Sequence, residues 1–195
     1  MKQFLILLIA FLSSTTISFS QPWSSAQIDS ANTEISNPSL SPYEKEAILI
    51  INLCRLYPKQ FASYEVEKYY NGGMRVDETF LKYKESLIQE LNSREPCQVL
   101  RFDQALYDIS NCFAQEFQGY DIPSHNRKNC SQPKCAESIA IGKESGFESV
   151  MQLLIDAGVE NHLHRKICLD PQYSKIGLRL YSHPKFRFSS IFNFC

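Results

Sequence analysis

The side chains best suited to chemistry in this chain are four histidines, His125, His162, His164 and His183, and seven cysteines, Cys54, Cys97, Cys112, Cys130, Cys135, Cys168 and Cys195. A neutral imidazole binds borderline divalent metals such as zinc and exchanges protons near neutral pH. His162 and His164 form an H-x-H pair, which on a strand places both rings on one side. This segment reads instead as a turn or short helix, so His162 is expected as a solvent neighbour. His183 precedes Pro184 at a hairpin turn and is expected to be structural.

The cysteines point to disulfides. No C-x-x-C pair occurs and the spacings are scattered, unlike the ligand spacing of zinc clusters. A nucleophilic thiol needs a lowered pKa beside a histidine, and only Cys130 near His125 or Cys168 near His164 offers that in sequence. Cys130 and Cys135 are the closest pair and the candidates for clipping a short loop; the remaining connectivity stays open. Because seven is odd, at least one thiol is left free or pairs between chains. The zinc-protease H-E-x-x-H spacing, the G-x-S-x-G elbow, the phosphate-binding glycine loop and the dinucleotide fingerprint are all missing from the sequence.

An oxidising address fits the N-terminus. Lys2 precedes an unbroken apolar run from Phe4 to Leu12, too short to span a bilayer, which takes about 20 residues. Ser18-Phe19-Ser20 then sets small residues around a bulky one, as signal peptidases require. Residues 1–20 are therefore expected to be a removed signal peptide. The mature chain would hold 175 residues, carry a net charge of −2 once Lys2 leaves, and lack a transmembrane segment. Its expected location is extracellular or periplasmic. Mixed charges of both signs give no reason to expect nucleic acid or an anionic membrane as partner.

The elements that must position these side chains follow from pattern. Residues 21–41, rich in Ser, Asn, Thr and Pro, are expected to be a flexible lead-in, and residues 42–195 a single domain. Ser41-Pro42-Tyr43-Glu44 starts a helix with a capping serine, a first-turn proline and a glutamate three residues on. Apolar periodicity predicts further helices over Thr79–Leu91, Asp103–Gln118 and Gly146–Asp156, with Asn71-Gly72-Gly73 as a turn. Ser138–Ile141, Lys175–Tyr181 and Phe186–Phe194 read as strands, the last two forming a hairpin. Helices first and hairpin last predict an α+β layered domain.

One stretch carries a resemblance. His164-Arg165-Lys166-Ile167-Cys168-Leu169-Asp170-Pro171-Gln172-Tyr173-Ser174-Lys175-Ile176-Gly177 follows Leu153-Leu154-Ile155-Asp156-Ala157-Gly158-Val159. This resembles the CAP superfamily, shared by cysteine-rich secretory proteins, wasp antigen 5 and plant pathogenesis-related protein 1. Ser124-His125 and Ala136-Glu137-Ser138-Ile139 also stand where that family places a histidine and an acidic strand start. Residues 64–96 look like an elaboration. The resemblance implies an α-β-α sandwich, with helices flanking a small, mostly antiparallel sheet. It also implies a cleft lined by His125, Glu137, Asp156 and His164, Asp156 standing where animal and plant members have glutamate.

The chemistry of such a cleft has three readings. The cleft would bind, without catalysis, either a divalent metal such as zinc on His125 and His164, with carboxylates completing the shell or orienting the rings, or a small apolar ligand or a peptide. Alternatively, metal-held water would be activated by Glu137 as general base in an extracellular hydrolase acting on peptide or cell-wall material. Thirdly, the chain would be a structural extracellular module that meets cell-surface components.

Overall fold

The computed structural model describes residues 22–71 and 78–195. The expected signal peptide and Gly72-Gly73 lie outside the described residues. The order is α1 (Ser25–Ala31), α2 (Pro42–Leu56), α3 (Pro58–Phe61), a π turn (Ala62–Val66), α4 (Glu67–Asn71), α5 (Glu78–Ser93), β1 (Arg101–Phe102), α6 (Gln104–Phe117), β2 (Ala136–Ile141), α7 (Gly146–Ile155), a 3-10 turn (Glu160–His162), α8 (Leu163–Leu169), β3 (Lys175–His183) and β4 (Arg187–Phe194). The fold is α+β.

The sheet runs β1-β3-β4-β2, with β1 parallel to β3 and the other pairs antiparallel. Strand side chains alternate between faces, and the two faces feed different apolar clusters. Ile176, Leu178, Ala140, Phe192 and Phe194 pack with α2 and α7 residues such as Ile51 and Leu154. Ile191, Ile139 and Tyr181 pack with Phe113, Ala114 and Phe117 of α6. Helices therefore cover the sheet on both sides. Two glycines set the spacing: a Cβ on Gly177 would lie 2.1 Å from the Tyr107 amide of α6, and one on Gly146 would lie 2.5 Å from the Tyr43 carbonyl of α2.

The segment 21–41, expected to be flexible, is folded where it is described. Ser24 and Gln27 form a reciprocal capping box at the start of α1, and Trp23 Nε1 donates to the buried Glu65 Oε1 at 2.6 Å. Buried Asn52 of α2 donates through Nδ2 to the carbonyls of Ala31 and Leu100, both at 3.0 Å, and accepts the Leu100 amide at 2.7 Å. Composition alone pointed to disorder because one tryptophan and one distant asparagine supply the anchoring. The helix start at Ser41 has the capping box the sequence predicts.

The expected Cys130–Cys135 clip does not form. The disulfides are Cys112–Cys130 and Cys135–Cys195. Register explains the second: Ala136 of β2 pairs with Phe194 of β4, so the next residues outward, Cys135 and Cys195, meet. Cys54, Cys97 and Cys168 are free, the first and last buried. Burial pushes the Cys168 thiol up to about 12 and the Cys54 thiol well above its ordinary value. Cys168 is therefore a poor thiolate nucleophile.

Candidate functional site

His164 is the second residue of α8, and its setting is built by the residue that ends α7. Asp156 has the left-handed conformation (φ 55°), which aspartate tolerates better than most residues. That turn sends its carboxylate forward into the next helix. Asp156 Oδ2 accepts the amides of His164 at 2.9 Å and Arg165 at 3.3 Å, and Oδ1 sits 2.8 Å from His164 Nδ1. A carboxylate partner requires the proton on Nδ1, which leaves the ring's lone pair on Nε2. The Asp156 side chain is 1% exposed and that of His164 18%. The shorter acid is spent on the α8 amides as well as on the ring.

Arg165 locks the same corner from inside. Its buried guanidinium donates to the carbonyls of Leu154 and Ile155 at the end of α7 and to Ser86 and Glu90 of α5. Asn161 (φ 56°) and His162 (φ 50°) are both left-handed, reversing the chain between α7 and α8. His162 contacts α5, with Nε2 3.5 Å from Ser86 Oγ and its ring edge-on to Tyr83. His183 is buried in the hairpin, its Nε2 donating to the Phe117 carbonyl and its Nδ1 accepting the amides of Lys185 and Phe186.

His125 is carried by the loop between α6 and β2. Its Nδ1 lies 2.9 Å from Glu137 Oε1, while Glu137 Oε2 pairs with the Arg127 guanidinium. The side chains of Arg127 and Glu137 are 1% and 5% exposed, and Arg127 stacks over the Phe113 ring at 4.0 Å. The loop itself is gathered by Glu116, which accepts the amides of Lys128, Asn129 and Cys130 and the Tyr120 hydroxyl. Although desolvation opposes ionisation, these hydrogen bonds hold the Glu116 carboxyl down at about 2.

The two halves meet. The His125 and His164 ring centroids are 6.4 Å apart, with planes inclined by 38°. Each ring has its own carboxylate on Nδ1, so Glu137 and Asp156 hold the imidazoles from behind. Both Glu137 oxygens are engaged, by His125 and Arg127, so the carboxylate is held in an ion pair behind the ring. Among the described residues no three His, Cys, Asp or Glu side chains form a group able to hold a metal ion. A metal on this pair would rest on two ring nitrogens and draw its other ligands from water or a bound molecule.

Beside His164 lies a cavity of about 330 Å³, with Asp156 and His164 in its lining and apolar walls that include Tyr69, Phe80, Ile139 and Leu153. Sequence reasoning missed this cavity, because α4, α5, β2 and α7 contribute to it from distant positions. It also missed Arg127 and Glu116. A basic residue two positions after His125 was visible, but nothing in the sequence paired it with Glu137.

No protein-family model matches this chain, and no curated protein does. One solved structure with similarity is an outer surface protein from Borrelia burgdorferi, 18% identical, covering 62% of this chain and 96% of that one with a TM-score of 0.39. That likeness is too low to carry an argument about fold or activity.

Proposed function

We propose that this chain is a secreted CAP-like binding module in which His125 and His164 hold a divalent metal such as zinc beside a cavity that takes a small ligand. The observation that carries this reading is the convergence of two imidazoles at 6.4 Å, each with its Nδ1 held by a carboxylate. That arrangement reproduces the carboxylate–histidine pattern that orients metal-binding rings. A two-histidine set binds weakly and leaves positions open, which suits a site that shares its ion with water or a ligand. Binding without catalysis is favoured over hydrolysis because the candidate base, Glu137, is tied up in an ion pair with Arg127. Two disulfides support an oxidising location. No helix among the described residues is long and apolar enough to cross a membrane.

The test is a zinc titration read by thermal unfolding. Ion at about a hundred times its Kd stabilises a folded protein by about 2.7 kcal/mol. The parent should gain several degrees in Tm, and the His125→Ala, His164→Ala double variant none. An equal gain in both would end the metal reading.

A further inference from the structure

The cavity beside His164 has polar features that a purely apolar guest would leave unused. Tyr70 lines it with its ring, while its hydroxyl is closed off from accessible space. Lys143 also lines the cavity, is half-buried, and has no carboxylate partner among the described residues. Gln152 lines it too; its Oε1 accepts the Ile141 amide at 2.9 Å, which turns the carboxamide so that its NH2 is a further donor.

The one carboxylate among the described lining residues does not oppose an anion strongly. Asp156 has one oxygen on the His164 ring and the other on the amides of His164 and Arg165, so its charge is met at the N-terminal turn of α8. The remaining walls are aromatic and aliphatic: Tyr69 and Phe80 with Ile139, Leu153, Ile155 and Val159. A volume of about 330 Å³ lies at the small end of ligand pockets and suits a guest of about a dozen non-hydrogen atoms.

We infer that this cavity is a receptor for a compact aryl-alkyl carboxylate, its carboxylate taken by Lys143 and Gln152 and its ring by the aromatic wall. The inference rests on reading the cavity as a ligand site and is independent of the metal at the histidine pair. A carboxylate accepts from both donors at once, and ammonium-to-carboxylate hydrogen bonds are the strong ones. An aromatic ring fits walls that offer edge and face contacts to it.

Calorimetric titration of the full chain with 4-phenylbutyrate, in EDTA so that no metal-bound carboxylate contributes, tests this. Binding is expected, with 4-phenyl-1-butanol weaker by about tenfold, since only the acid makes a charge-assisted bond. Lys143→Met should weaken the acid by about tenfold and leave the alcohol unchanged. Leu153→Trp, which fills the cavity, should abolish both, its fold being checked by circular dichroism. No binding by the parent, equal binding of acid and alcohol, or full affinity in Lys143→Met would overturn the proposal. Tighter binding of hexadecanoate than of 4-phenylbutyrate would overturn the compact class. Because EDTA removes the ion, failure here leaves the zinc result at His125 and His164 standing, and the reverse holds equally.

Discussion

The two imidazoles of the cleft are held in opposite ways. His164 rides on secondary structure: a left-handed Asp156 ends α7, its carboxylate receives the first amides of α8, and Arg165 ties both helices to α5. His125 rides on a loop that owes its shape to a disulfide and to Glu116, and its side chain is 53% exposed against 18% for His164. One half of the site is thus fixed once the helices pack, and the other is held by bonds that chemistry or acidity can remove. The adjustable half is the exposed one.

The largest test of that contrast is Glu137→Ala. It leaves the Arg127 guanidinium, 1% exposed, without its counter-charge, and removing one partner of a buried pair costs about 3–5 kcal/mol. Urea unfolding should show that loss, while the imidazole signals of His164 stay in place. A loss below about 1 kcal/mol, the size of a surface pair, would mean that the ion pair does not hold the loop half.

Next in size is Cys112→Ala with Cys130→Ala, which opens a loop of 18 residues' separation and costs about 3 kcal/mol on chain entropy. Hydrogen exchange should rise across residues 120–134 and stay slow across 156–169. Equal acceleration in both segments would break the comparison. Asp156→Ala should cost about 2 kcal/mol, because it removes a buried acceptor from two amides and a ring. Its exchange pattern should be the mirror image, with α8 loosened and the His125 loop unchanged.

The smallest effect is acid loosening of the loop. The folded-state pKa of Glu116 lies at about 2, below its ordinary 4.5. Its stabilisation is complete above the unfolded value and is lost as pH falls from about 4.5 through about 2. Protease cleavage within 120–134 should therefore rise over that window before global unfolding, and Glu116→Gln should cleave at neutral pH as the parent does in acid. A pH-independent cleavage rate in the parent would show that Glu116 does not gather the loop.

Local rules made much of the fold legible. The capping box at Ser41, the apolar recurrence from Leu106 to Phe117 and the alternation in Lys175–His183 and Arg187–Phe194 each report on neighbours within one turn or one strand. What was illegible depends on residues far apart in sequence. The partners of Cys112 and Cys135 follow from loop path and strand register, α1 is anchored by Glu65 and Asn52, and Arg127 finds Glu137 only after the loop folds back. At the cleft, His125, Glu137, Asp156 and His164 were singled out through motif resemblance, and geometry puts them together in two pairs. The use of both carboxylates behind the rings was not readable, because it turns on the backbone angle of Asp156 and the position of Arg127.

Arg55 ties the packing of α2 to the last third of the chain. Its guanidinium is buried and donates to four carbonyls, those of Gln98, Cys168, Asp170 and Tyr173. Three of these belong to the last third of the chain, the farthest 118 residues downstream. Burying that charge before those acceptors are in place carries a penalty, so the packing of α2 is complete only once the carbonyls of Cys168, Asp170 and Tyr173 have closed around it.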